Sequence, residues 1–286
     1  ANIQHALLHL IRYKGENIRM AQLDKTYCEG WVQYLAHAKT IGTDVPMRGE
    51  HHEKDLAKGT ARLYFNTFVT VLNEAVREGI IPKNPTKLLK KEERKMLSKQ
   101  ESKRCYLSIE EIKLLMVTPC KADTVKCAFL FACFCGLRLS DVRSLRWADI
   151  GKGTEGYYIS KQMVKSRHVV TIPLSENALA WMPARGQARV EDKVFSLPSY
   201  FSVNYRMKQW AREAGIEKPV TFHVSRHTFA TTLLTMGVDL YTTSKLLGHQ
   251  NITTTQVYAE IVNRKKVEAV SLLDQIKPPL GTLLGT

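Results

Sequence analysis

The sequence predicts a mainly α-helical protein with one small β-sheet, divided into two domains. At 286 residues the chain exceeds the usual size of a single domain. Its apolar residues recur mostly at helical spacing, and only the segment 157 to 174 changes to the alternation that is typical of strands. The basic, weakly apolar run 90 to 104 separates two stretches that are each rich enough in apolar residues to form a core. These observations predict domains at 1 to 89 and 105 to 286, joined by a linker at 90 to 104.

The first domain is predicted to be an all-helical bundle. Ile3, Leu7 and Leu10 share one face of a helix over residues 1 to 14. Asp24 is a suitable N-cap for a second helix that ends near Ala38. The polar segment 39 to 57 is predicted to be a loop, and a third helix is expected from about Thr60 to Glu78.

The second domain begins with a clear helix-start signal. Ser108 and Glu111 form a Ser-x-x-Glu capping box for a helix that ends near Val117. A nearly all-apolar helix, Ala122 to Cys135, is expected to be buried, with Gly136 as its C-terminal cap. Ser140 is predicted to cap a short helix after it. Further helices are expected at 175 to 182, 199 to 214 and 221 to 237, followed by a last helix at 263 to 273 and an apolar tail.

The charge balance indicates a polyanionic partner. The formal net charge is +15, from 42 Lys and Arg against 27 Asp and Glu. This surplus favours DNA or RNA over a membrane surface. Because the excess is spread along the chain, it suits a protein that wraps its partner. In the first domain, Lys54, Lys58, Arg62 and Arg77 are candidate phosphate contacts, although solvated helix charges are the ordinary interpretation of each.

Other classes of protein are disfavoured by composition. The six cysteines include no Cys-x-x-Cys pair and lie mostly in apolar surroundings, which is typical of reduced residues in a cytosolic protein. His51, His52 and Glu53 lie in a polar loop without companion ligands, so no metal and no cofactor is expected. The apolar run 127 to 137 is too short to span a bilayer. The first residue is Ala rather than Met, which is consistent with a chain trimmed at its N-terminus.

Four chemically capable residues are concentrated in the segment 221 to 258. His223 and Arg226 are three residues apart on one predicted helix face. His249 follows Gly248 on a predicted turn, and Tyr258 comes nine residues later. His227, beside Arg226, is interpreted as a capping or solvated side chain. Each residue alone has an ordinary structural explanation, but the combination is rare.

Two upstream residues complete the set. Arg138 follows the Cys-Gly-Leu that ends the buried helix, which is a rigid place for a functional charge. Lys165 lies in the polar turn of the predicted hairpin. With these two, the chain resembles the tyrosine recombinases of the phage-integrase family, strongly over residues 105 to 275 and more loosely over the first 90. The resemblance implies an N-terminal helical core-binding bundle plus an α+β catalytic domain.

The residues suggest how a DNA phosphodiester is broken without a metal. Arg138 and Arg226 carry planar forks that match phosphate oxygens. Tyr258 is expected to be the nucleophile and His223 the proton acceptor. The resemblance implies that Lys165 protonates the leaving 5′ oxygen, with Lys161 and His168 as alternatives, and His249 is expected to hydrogen-bond a phosphate oxygen.

The expected function is site-specific DNA recombination of the integrase or excisionase type, through a covalent 3′-phosphotyrosine intermediate. The alternatives are a type IB topoisomerase-like enzyme that relaxes DNA and a DNA-binding module that has lost catalysis. The expected partners are double-stranded DNA at specific recombination sites, three further copies in a homotetramer on DNA, and accessory DNA-bending proteins. The free protein is expected to be a monomer in the cytoplasm of a bacterium, encoded by the host, a phage or another mobile element.

Overall fold

The computed structural model describes residues 2–41, 54–97 and 105–258. The chain divides into two compact units, Ala1–Lys103 and Arg104–Thr286. Three sequence predictions lie outside the described residues: the cluster His51 to Glu53, the helix expected at 263 to 273, and the apolar tail after it.

The described part of the first unit is helical. The Asp24 side chain accepts a hydrogen bond from the Tyr27 amide, which confirms the predicted N-cap. Trp31, Leu35 and Leu72 are almost fully buried where the helices meet. The α-helices are α1 (Asn2–Lys14), α2 (Lys25–His37), α3 (Lys58–Arg77) and α4 (Lys91–Lys95).

The helical unit extends further along the chain than the sequence suggested. A short 3-10 helix, Pro85–Leu88, is capped by Asn84, whose side chain accepts from the Thr86 amide. The helix α4 follows within the predicted linker, and Leu97 is 2% exposed in the core of this unit. A basic run therefore still contributes an apolar anchor to the bundle.

The second unit is built around a buried helix. Its elements are α5 (Ile109–Val117), α6 (Asp123–Cys135), α7 (Leu139–Arg143), β1 (Ile150–Gly153), β2 (Gly156–Gln162), β3 (Val169–Pro173), α8 (Glu176–Ala180), α9 (Tyr200–Glu213), α10 (His223–Thr235) and α11 (Leu240–Leu246). The Ser108 capping box is present, and α6 is buried over most of its length. Gly136 ends α6 with a left-handed φ of 71°, as predicted.

The start of α7 differs from the prediction. Arg138, and not Ser140, is the N-cap residue of this helix, so Ser140 already lies inside its first turn. Neither residue makes a side-chain capping bond to the helix.

The three strands form one antiparallel sheet in the order β1-β2-β3. Ile159 and Ile172 are paired across β2 and β3 and point into the core, where both are buried. The sequence analysis did not predict β1. The turn between β2 and β3 contains Lys165 and ends at Arg167, which has a left-handed φ of 60°.

The predicted fold class, mainly α with a small sheet, is confirmed. Within the described residues, no helix is both long and apolar enough to cross a membrane.

Gly136 offers a direct test of packing at the end of α6. A Cβ on Gly136 would lie 2.5 Å from Phe229 Cδ1, whereas a Cβ on Gly215 (φ +73°), after α9, would meet nothing within 4 Å. We expect Gly215→Ala to lower the free energy of unfolding by about 1 to 2 kcal/mol, the cost of the left-handed conformation. Gly136→Ala should lose a further ~1–3 kcal/mol from overpacking. Urea unfolding of both variants measures this difference. Equal losses of unfolding free energy would contradict the close packing of Phe229 against Gly136.

Candidate active site

A buried arginine lies at the centre of the second unit's functional residues. Arg226, on α10, is 3% exposed. Its Nη1 donates to the Gly136 carbonyl at 2.8 Å and its Nη2 to the Leu247 carbonyl at 2.5 Å. Burial and the nearby charge of Arg138 lower the pKa of Arg226 to about 9, which leaves the guanidinium charged at neutral pH. One cation thus connects the ends of α6 and α11.

A second arginine lies beside the first. The Arg138 side chain is 19% exposed, and its Nη1 lies 4.0 Å from Oδ2 of the fully buried Asp141. Within the described residues, both of these atoms are buried without a hydrogen-bond partner. Two neighbouring guanidinium groups have more positive charge than one carboxylate neutralises, so the pair suits an anionic ligand such as a phosphate group.

The hairpin turn that carries Lys165 is tied to the same carboxylate. The Val164 amide donates to Asp141 Oδ1 at 2.8 Å, and Lys165 itself is exposed on the turn. A single buried carboxylate therefore lies beside Arg138 and accepts from the backbone amide next to the lysine. This arrangement brings the predicted lysine turn to the Arg138 side of the unit.

The alternatives to Lys165 differ in how they are held. Lys161 is buried, and its Nζ lies 2.9 Å from both the Ser144 carbonyl and Asp149 Oδ2. These bonds occupy it structurally, which disfavours Lys161 as a mobile acid. His168 is exposed just before β3, where its carbonyl accepts from the Met163 amide.

Tyr258 is held in the core of the site by a histidine that the sequence analysis had set aside. Tyr258 lies in the 3-10 helix Gln256–Tyr258 and is 6% exposed. Its hydroxyl is 2.7 Å from His227 Nδ1. The interpretation of His227 as a capping or solvated side chain is therefore wrong. The available signal was its i,i+4 spacing from His223, which places both rings on one side of α10.

His223 and His249 flank this pair in different ways. His223 is exposed, and its ring packs edge-on against His227 at a centroid distance of 4.6 Å. His249 is half-buried, with Nδ1 2.8 Å from Oγ1 of the fully buried Thr255. Gly248, the residue before it, lies close to β3, because a Cβ there would be 2.7 Å from a Val170 methyl group. The close approach places His249 beside the sheet.

The structure thus brings Arg138, Arg226, His227 and Tyr258 into one neighbourhood, since the charges of Arg138 and Tyr258 both act on Arg226. Lys165 is connected to them through the bond between Val164 and Asp141. No group of three or more metal-ligating side chains occurs among the described residues. The arrangement can bind an anion through its arginines and present a phenol to it.

A separate basic cleft of about 440 Å³ lies in the first unit, between α3 and the segment 84 to 97. Arg62, Asn66 and Asn73 line it from an exposed stripe of α3. The cations on the opposite wall are Lys87, Lys91, Arg94 and Lys95. Arg94 also donates to the Thr86 carbonyl at 2.7 Å, which fixes this wall. Of the four earlier candidates for phosphate contacts, Arg62 lines the cleft, whereas Arg77 pairs with Glu74.

Comparisons with known proteins match each unit to a family model. Residues 105–264 match the Phage integrase family, and residues 1–94 match the Phage integrase SAM-like domain. A tyrosine recombinase of Pseudothermotoga lettingae is 33% identical over 147 residues, or 50% of this chain and 51% of that protein. Tyrosine recombinase XerD of Proteus mirabilis is 32% identical over 195 residues, or 61% of this chain and 59% of that protein. The chain spans about half the length of these curated relatives.

Solved structures share the fold at low sequence identity. A crystal structure of a lambda integrase(75-356) dimer bound to a COC′ core site covers 90% of this chain and 86% of its own, with a TM-score of 0.66 and 17% identity. The XerH site-specific recombinase bound to a palindromic difH substrate covers 96% of this chain and 79% of its own, with a TM-score of 0.66 and 15% identity. The family match itself extends over more than half of the chain, from 105 to 264. The chain therefore belongs to the phage integrase family.

Proposed function

We propose that this protein is a site-specific DNA recombinase that cleaves and rejoins DNA through a covalent 3′-phosphotyrosine and exchanges strands between two duplexes. The observation that carries the proposal is the position of Tyr258, buried near Arg226, which in turn lies near Arg138. The arginines supply charge for a phosphodiester and the tyrosine supplies a nucleophile. Family membership supports the same reaction class.

The two arginines act on the phosphate. In the pentavalent transition state, negative charge builds up on the non-bridging oxygens, and preorganised donors stabilise it. Arg226 is preorganised because two carbonyls already fix its plane. Within the described part of the chain, a buried nitrogen of Arg138 has no hydrogen-bond partner, and this nitrogen can donate to a phosphate oxygen.

Tyr258 attacks the phosphorus, and the bond to the 5′ oxygen breaks. Lys165, exposed on its turn, protonates that oxygen as it leaves. The phosphotyrosine keeps the energy of the broken bond, so a 5′ hydroxyl can religate the strand without a cofactor. His249, oriented by Thr255, donates to a phosphate oxygen. His223 packs against the ring of His227, which contacts the nucleophile Tyr258.

The proposed partner is duplex DNA at a specific recombination site. Two structural relatives were crystallised on such DNA, a lambda integrase dimer on a core site and XerH on difH. Exchange between two duplexes involves four strands and one nucleophile per strand, so we propose a tetramer on DNA that forms from free monomers. Accessory DNA-bending proteins and a cytoplasmic location belong to the same proposal.

We propose a division of labour between the domains. The core-binding domain predicted at 1–89 also includes α4 and Leu97 from the predicted basic linker 90–104, and residues 105–286 form the catalytic domain. The basic cleft of the first unit supports the first assignment, because cations from two walls can contact phosphates. Exposed Asn66 on α3 carries an amide of the type that hydrogen-bonds base edges, whereas Asn73 Oδ1 already accepts from Asn84 Nδ2 at 2.7 Å.

Tyr258→Phe tests the nucleophile. The change removes one hydroxyl, so DNA affinity should remain while the covalent protein–DNA adduct disappears completely. The substrate is a nicked duplex containing the sequence that the wild-type chain protects from nuclease, and the adduct is measured on a denaturing gel. Tyr241→Phe is the matched control, since Tyr241 is 61% exposed on α11, and it should form the adduct normally.

An adduct that persists in the Tyr258→Phe variant would show that another residue attacks. A wild-type adduct together with relaxation of supercoiled DNA but no exchange between duplexes would instead indicate a topoisomerase. No adduct at all from the wild-type chain would leave a DNA-binding module.

The cleft lysines are tested by the salt dependence of DNA binding. Each phosphate contact releases counterions, so Lys87→Ala and Lys91→Ala should each reduce the slope of log K against log salt by about 0.9. The measurement is fluorescence anisotropy with a short mixed-sequence duplex over a range of salt concentrations. Lys25→Ala is the control, because Lys25 lies outside the cleft and pairs with Glu29 at 2.8 Å. Equal slopes for all three variants would show that these cleft lysines do not contact DNA phosphates.

A further inference from the structure

The contact between Tyr258 and His227 points to a role for this histidine. Tyr258 Oη and His227 Nδ1 are 2.7 Å apart, which is within hydrogen-bonding distance and within the reach required of a general base. The two rings have centroids 5.9 Å apart and are inclined at 59°. Because Tyr258 is nearly buried and ends a short 3-10 helix, its hydroxyl has little freedom to leave this contact.

A tyrosine nucleophile needs such a partner. An ordinary tyrosine has a pKa near 10, so a phenol is almost entirely protonated at neutral pH. An imidazole titrates near 6.5 in model peptides, close to the pH at which a base is most effective. We propose that His227, in place of His223, is the proton acceptor for Tyr258, a catalytic residue outside the six identified from the sequence. This inference rests on the proposed recombinase function.

The step is balanced as follows. The Tyr258 O–H bond breaks and its proton moves to His227 Nδ1, which becomes an imidazolium. The Oη–P bond forms while the bond from phosphorus to the 5′ oxygen breaks, and Lys165 gives that oxygen a proton. Religation reverses each transfer, so His227 returns the proton to the tyrosine. No external acid, base or oxidant is consumed.

Several charged or titratable groups surround this pair. His223 packs against His227 from one turn earlier on α10, and Arg226 is the residue before it in sequence. Arg138 and Asp141, from the segment after α6, act on the same region through Arg226. The positive charge that forms on His227 is opposed by these arginines and offset by the negative charge that develops on the phosphate. Proton transfer is therefore favoured when DNA is bound.

The decisive variant is His227→Asn. An Asn amide oxygen takes nearly the position of Nδ1, so it still accepts a hydrogen bond from Tyr258, but it does not take up the proton. We expect adduct formation to fall by about 10²-fold or more, as for the loss of a general base. The wild-type rate should rise with pH and level off above the histidine pKa, whereas the variant rate should keep rising towards the tyrosine pKa. His37→Asn, on the exposed surface of α2, should match the wild type.

Single-turnover adduct formation on the nicked duplex, followed from pH 5 to 9.5, measures both effects. Thermal unfolding and duplex affinity of the variant verify that it folds. A second measurement needs no DNA: the imidazole ¹⁵N signals of His227 should change in Tyr258→Phe, because the hydrogen bond at Nδ1 is lost.

The competing outcomes are distinct. Near-wild-type rate and an unchanged pH profile in His227→Asn would overturn the acceptor role and leave a positioning contact. If His223→Asn loses the plateau in the pH profile of adduct formation while His227→Asn keeps it, His223 is the proton acceptor instead. No adduct from the wild-type chain would overturn the proposed function, and with it this role, whereas a normal adduct in His227→Asn overturns the role alone.

Discussion

The catalytic unit depends on one buried charge. Placing a guanidinium in the interior costs several kcal/mol unless its donors are satisfied. Arg226 meets this cost with carbonyls at the C-terminal ends of two helices, where the helix dipole also favours a cation. The same bonds satisfy carbonyls that helix ends leave open. The arginine therefore fixes α6 and α11 relative to α10, and the helices in turn fix the plane of the arginine.

This constraint explains the small residues around the site. Gly136 provides both the carbonyl that Arg226 uses and the left-handed turn that releases Arg138 from the end of α6. Phe229 and Leu247 fill the space where a Cβ would lie. Gly248, directly before His249, similarly lets β3 pack close to the backbone. Each glycine permits a close approach that a larger residue would block, and the arginines and His249 are therefore held by tightly packed elements. Lys165, by contrast, lies on an exposed turn.

Local sequence signals predicted local structure well. Asp24 and the Ser108 capping box mark helix starts because a single side-chain bond decides them, and Gly136 marks a helix end because few residues accept its φ. Features that depend on distant packing were missed. β1 contains two glycines and no alternation, and it is a strand because β2 pairs with it. Leu97 lies in a basic run, and only the bundle core shows why it is buried.

In the candidate site, too, local spacing predicts which residues share a helix face, but contacts distant in sequence decide which of them pair. Helical spacing places His223, Arg226 and His227 within about one turn, so any of the three can face a common target. Which one meets Tyr258 is decided 31 residues away, where Asn251 caps the first of two short 3-10 helices and the second ends at the tyrosine. A motif lists residue types in order, but the docking of that segment on α10 selects the pair. The buried Arg226 points inward and donates to carbonyls at the ends of two helices. The tyrosine hydroxyl therefore contacts His227, the residue that follows Arg226 in sequence.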